Sequence, residues 1–117
     1  MKIERIPTLI INEEPVEPQD FTFYLQEIVQ DMLYNNIFTK NVIDGDQKRS
    51  TILEHLQEDI EKFNINTTMS DIEAWLEIIV GCALTFSNVT LEHDVTLEKL
   101  THLLVEHMRI SIEARLP

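Results

Sequence analysis

The sequence predicts an all-α domain: a four-helix bundle-like body with an extended, proline-bounded N-terminal arm. Three observations predict it. Only two glycines, Gly45 and Gly81, occur in 117 residues, too few for the turns of an all-β chain of this length. Apolar residues recur at three- and four-residue spacing over four long segments. Three of the four prolines, Pro7, Pro15 and Pro18, fall in the first eighteen residues, and the fourth is Pro117. Proline is kept out of segments whose backbone N–H groups must close helical hydrogen bonds, so its placement separates an extended stretch from a helical one.

Residues 1–18 are therefore expected to form an arm outside a helical domain of residues 19–117. The arm carries Ile3, Ile6, Leu9, Ile10 and Ile11, which need cover. Of these, Ile6, Leu9, Ile10 and Ile11 are the candidate contact residues. They have two routes to burial. The arm can pack on its own bundle, including as a short β-ribbon with residues 88–93, which is marginal without helix backing. Alternatively, it can join a second subunit or a partner by strand addition or apolar docking.

The first helix is expected over 19–38. Phe21, Leu25, Ile28 and Met32, with Val29, Leu33 and Ile37, make its apolar stripe. Pro18 stands just ahead of it, and Asp20 suits the cap or first turn. The Asp44-Gly45-Asp46 triplet reads as a turn and lacks the glycine and glutamate positions of an EF-hand loop. A second helix is expected over 47–63, with Leu53, Leu56, Ile60 and Phe63 buried and a possible capping box at Thr51–Glu54.

Ser70–Glu73 is the better capping box, and it opens a third helix over 71–87. This helix is apolar almost all round after Glu77, the pattern of a helix at the centre of a bundle. Ala74 and Gly81 share a face that a neighbour can approach. Trp75 and the single cysteine, Cys82, are expected in the core, the thiol buried and inert. Residues 88–95 read as a loop or a short strand. The last helix is expected over 96–115, with Leu97, Leu100, Leu104 and Met108 inward and Leu103, Ile110 and Ile112 widening the stripe. His102 and Glu106 suit a surface i, i+4 pair.

Charge narrows the function. Twenty-one acidic residues against nine basic ones give a formal net charge of -12 and a pI near 4.5. Such a chain is repelled by nucleic acid and anionic membranes and attracted to basic proteins. One cysteine makes no internal disulfide, the N-terminus lacks a signal-peptide core, and no apolar run is long enough to span a bilayer. A reducing, cytoplasmic setting in the producing or host cell is expected. The sequons at Asn66 and Asn88 are read as chance matches.

No Lys or Arg lies between Arg5 and Lys40, or between Lys62 and Lys99. The first and third helices thus carry only negative charges: Asp20, Glu27 and Asp31, and Asp71, Glu73 and Glu77. These six residues form a candidate partner-binding surface. An acidic face of this kind steers encounter with a basic partner and suppresses wrong ones. It equally suits a solvated face with no role beyond solubility.

The leading expectation is a non-enzymatic binding protein of the inhibitor, immunity or phage counter-defence type, docking on a basic, nucleic-acid-handling protein. A second is a homo-oligomeric adaptor, with a homodimer its simplest form, joined through the arm. A third is a small Mg²⁺-dependent nucleotide hydrolase using Glu27/Asp31 and Glu73/Glu77 as two i, i+4 carboxylate pairs. These pairs are spaced one residue wider than the Glu-x-x-Glu type of all-α nucleotide pyrophosphohydrolases, and no resemblance to that family is drawn. No cofactor motif occurs. Glycine-rich phosphate loops, Glu-x-x-His pairs and His-Glu-x-x-His are all missing from the sequence.

Overall fold

The computed structural model describes the backbone of residues 9–11, 14–16, 18–61 and 69–115, and the side chains within 23–61 and 71–114. Five helices account for most of this: α1 (Pro18–Met32), α2 (Asn36–Asn41), α3 (Gly45–Glu61), α4 (Met69–Phe86) and α5 (Leu97–Arg115). Two short strands precede them, β1 (Leu9–Ile11) and β2 (Glu14–Val16), paired antiparallel with Leu9 opposite Val16. The arm's ribbon thus forms within the arm itself and not with residues 88–93. Ile3 and Ile6 lie outside the described residues.

The four long helices close a ring of contacts: α1 on α3, α3 on α4, α4 on α5 and α5 on α1. Helices α4 and α5 run antiparallel, since Glu77 meets His102 while Glu73 meets Arg109, and Phe86 of α4 meets His55 of α3. Helices α1 and α4 consequently stand on opposite corners. The core inside the ring is aliphatic. Leu25, Ile28, Val29 and Met32 face it from α1, and Ile52, Leu56 and Ile60 from α3. Ile72, Leu76, Val80 and Ala83 enter from α4, and Leu100, Leu104, Met108 and Ile112 from α5. Each set repeats every three or four residues, the period that keeps side chains on one side of a helix.

The first predicted helix is broken. It stops at Met32, where Tyr34 N–H bonds the carbonyl of Asp31 and Asn35 N–H that of Met32, both at 3.1 Å. These bonds tighten the last turn. Asn35 then takes extended geometry and its Oδ1 accepts from Ile37 N–H at 2.9 Å, capping α2. The apolar spacing from Leu33 to Ile37 runs straight through the break, which is why periodicity misses it. The restart buries Phe38 completely.

Helix α3 begins at Gly45, two residues before the predicted start, so Thr51 is mid-helix and the Thr51–Glu54 box is not used. Gly45 is required by close approach: a Cβ there would lie 2.9 Å from Phe38 Cε1. Arg49, one turn on, holds the corner together. Its Nε donates to the carbonyl of Leu33 at 3.0 Å, and its Nη1 meets Asp46 at 3.0 Å. Its guanidinium lies 4.2 Å from the centre of the Tyr34 ring. A cation here satisfies an orphan carbonyl at the α1 C-terminus and complements that end of the helix dipole.

The 88–95 segment is a loop tied to the α2–α3 turn. Val42 and Leu91 form a single antiparallel bridge, with Ile43 N–H on Thr90 O at 2.8 Å and Glu92 N–H on Asn41 O at 2.9 Å. Asp44 completes the tie, accepting from Thr90 N–H at 2.8 Å and Thr90 Oγ1 at 3.2 Å. The backbone donor from Thr90 is the main reason the Asp44 carboxyl is held below its ordinary value. Asn88 and Asp94 supply the left-handed residues of the loop, with φ 55° and 65°, a conformation their short polar side chains tolerate. Thr96 then caps α5, accepting from Lys99 N–H at 3.1 Å.

Candidate functional site

Helix α4 positions the most distinctive surface of the protein. Its inner face fills the core. The contacts on its two flanks go to α5 and α3, and the remaining outward face has no helix over it. That face is apolar. Ile78 is 65% exposed and Phe86 73% exposed, and exposed Ala74 and Cys82 lie on the same i, i+4 line. The central-helix expectation is therefore corrected: α4 is a corner helix. Cys82 is solvent-exposed, not buried. Trp75 is half-buried against the core. On α5, Ile110 also differs from expectation and is exposed.

Beside this face, α4 and α5 leave a groove. Its wider part, about 530 Å³, is lined by Glu77, Gly81, Thr85, Leu97, Glu98, Thr101 and His102. A smaller continuation of about 150 Å³ runs on between Glu73, Glu106 and Arg109. The floor is formed around Gly81, where a Cβ would meet only Thr101, its Cγ2 at 3.7 Å and its Oγ1 at 3.9 Å. Thr85 Oγ1 donates to Gly81 O and Thr101 Oγ1 to Leu97 O, each at 2.8 Å. Both hydroxyl protons are thus committed to their own helices.

The groove walls are charged. Glu73 meets Arg109 Nε at 3.1 Å, and the same guanidinium bonds Glu113 at 3.2 Å. Glu77 meets His102 Nδ1 at 3.1 Å. The expected His102–Glu106 surface pair is thus replaced by a cross-helix one, and Glu73 pairs with Arg109 of α5; the side chain of Ser70, the other half of the expected capping box, lies outside the described residues. Four carboxylates (Glu73, Glu77, Glu98 and Glu106) share the groove with one guanidinium and one imidazole. On the other side of the apolar face, His55 lies under Phe86 with ring centres 6.0 Å apart. Glu58 and Asp59 follow His55 by one turn on the same side of α3.

The six acidic residues marked in the sequence are not brought together. Glu27 and Asp31 are exposed on α1, while Glu73 and Glu77 lie across the bundle at the α4–α5 groove, with Asp71 exposed at the start of α4. Asp20 falls in the first turn of α1, and its side chain is outside the described residues, as are those of Leu9, Ile10 and Ile11. The carboxylate pairs of α1 and α4 do not converge on one point. No group of three or more His, Cys, Asp or Glu is placed to hold a metal ion among the described residues. None of the described helices is long and apolar enough to cross a membrane.

Sequence reading missed Glu98 and Glu106 as site residues, because they come from a mixed-charge helix. It missed the outward apolar line because α4 is apolar on every side. Gly81 was the available signal. Comparison with protein-family models, curated proteins and solved structures returns no match.

Proposed function

We propose that this protein is a non-enzymatic binding protein that docks on a basic protein partner, and that its docking surface is the α4–α5 face. The observation that carries the reading is the juxtaposition of exposed Ile78 and Phe86 with the carboxylate-rich groove of Glu73, Glu77, Glu98 and Glu106. Apolar side chains at the centre of an interface supply affinity, and a charged rim supplies steering and discrimination. The net charge of -12 adds a long-range field of the same sign. A role as an inhibitor or immunity-type factor against a nucleic-acid-handling protein agrees with this chemistry.

The homo-oligomeric reading rests on the arm, and the side chains of its candidate contact residues lie outside the described residues; a second copy seated on the exposed apolar line instead would set like charges against each other. The magnesium-hydrolase reading loses its support, since its two carboxylate pairs stand on opposite corners of the bundle.

The test compares two charge reversals once a partner has been captured and purified. Replacing Glu77, Glu98 and Glu106 with lysine should slow association at low salt by roughly tenfold or more. Replacing Glu27 and Asp31 with lysine should change it far less. Equal effects would mean that net charge alone, and not this face, governs capture.

A further inference from the structure

The groove specifies the shape of what it receives. We propose that the α4–α5 groove takes one amphipathic helix of the basic partner, its apolar side chains seated over Gly81 and its lysines or arginines facing the four groove carboxylates. This rests on the reading of the α4–α5 face as a docking surface.

Three features point to that occupant. The floor makes no polar demand: Gly81 has no side chain, and the hydroxyls of Thr85 and Thr101 are bonded to carbonyls of their own helices. With both hydroxyl protons committed, this floor offers an occupant no side-chain donor, so an acceptor brought there would go unpaired, whereas an apolar side chain loses nothing. The walls carry an excess of negative charge: Glu73 and Glu77 on the α4 side meet Arg109 and His102, while Glu98 and Glu106 on the α5 side add two further carboxylates. On the other flank His55 of α3 meets Phe86, and Glu58 and Asp59 lie one turn further along that side of α3. An apolar strip with carboxylates on both flanks is complementary to a helix with one apolar stripe and basic flanks. It is anti-complementary to a second copy of this acidic chain.

The third feature is length. From Glu73 to Thr85 the groove follows α4 for twelve residues, about 18 Å at the rise of an α-helix. That span accommodates about three turns of a third helix, which reads such a groove through anchors at i, i+3, i+4 and i+7. The volume of about 530 Å³ around Gly81 is room for those anchors.

The experiment uses fluorescence anisotropy with two labelled peptides of equal length and charge. One is a leucine–lysine amphipathic helix, and the other carries the same lysines among serines and glycines. Wild-type protein should bind the amphipathic peptide at least roughly tenfold more tightly. Gly81→Leu should erase that preference by filling the floor. Its melting temperature should not fall, because a side chain at this position starts from ordinary contact distance and leucine favours the helix over glycine. Equal binding of both peptides, weakened alike by Glu77→Lys, overturns the helix-in-groove proposal and leaves the basic-partner reading standing. Failure of both peptides to bind overturns the two together. A dimer in sedimentation that Gly81→Leu dissociates assigns the groove to a second copy and overturns the proposal.

Discussion

At the α2–α3 corner, Gly45 stands against the buried ring of Phe38, and a Cβ would come within 2.9 Å of it; at the α4–α5 groove, a Cβ on Gly81 would meet nothing nearer than 3.7 Å. The two glycines mark two ways of using a helix contact. The first corner is closed. Phe38 is fully buried, Arg49 bonds Leu33 and Asp46, and the loop at Thr90 is tied to Asp44. The second is left open. Its hydroxyls are satisfied internally, its charges line the walls, and large apolar side chains stand outside it in water. A protein concerned only with its own stability would have filled the groove at Gly81 and made Ile78 and Phe86 polar. The difference fits the proposed division of labour, with structural duty at the closed corner and binding duty at the open groove.

Four substitutions sharpen this contrast, beginning with the largest. Phe38→Ala should destabilise the fold by about 3–5 kcal/mol, the range for emptying a buried aromatic site, measured by urea unfolding. Cost on that scale needs surroundings that cannot collapse, and the clamp by Gly45 and Arg49 provides them.

The glycines come next and should move in opposite directions. Gly45→Ala should cost about 1–3 kcal/mol, because the added methyl presses on a ring that has nowhere to go. Gly81→Ala should raise stability by up to about 1 kcal/mol through helix propensity alone. If both were neutral, the corner would be as loose as the groove.

The smallest effect concerns pH. The Asp44 carboxyl titrates below its ordinary value of 3.8, chiefly because Thr90 N–H donates to its charged form. A lowered folded-state pKa contributes stability that is present above the unfolded value and lost as pH falls through the folded one. Asp44→Asn should therefore flatten the fall in melting temperature below about pH 4, with little change in its slope near neutrality. An unchanged acid limb would mean that the tie between Asp44 and Thr90 does not form in solution.

Much of the architecture was legible in the sequence, for reasons that differ by element. Helix α5 was read to within one residue of its start, because Thr96 is a local cap and Leu100, Leu104 and Met108 repeat without interruption. The break at Asn35 was not read, since the cap lies inside an unbroken apolar period and only the burial of Phe38 reveals the phase change. The candidate site was less legible still. The partners of Glu73 and Glu77 come from α5, 36 and 25 residues further on, and no local spacing announces them. Uniform apolarity along Ile78–Phe86 told the reader that α4 wants cover, but not that one face would be left without it. The expectation that acidic α1 and α4 form one surface failed on topology: a ring of four helix contacts puts the first and third long helices on a diagonal.

The account turns on Ile78 and Phe86 serving a partner rather than the fold. The direct measurement is the paired stability and binding of an Ile78→Ser, Phe86→Ser double variant, using denaturant unfolding and anisotropy with the amphipathic basic peptide. The account predicts unfolding within about 0.5 kcal/mol of wild type per substitution, as for surface positions, together with a loss of peptide affinity of at least roughly tenfold. Undiminished binding, or a stability loss on the scale of Phe38→Ala, would contradict it.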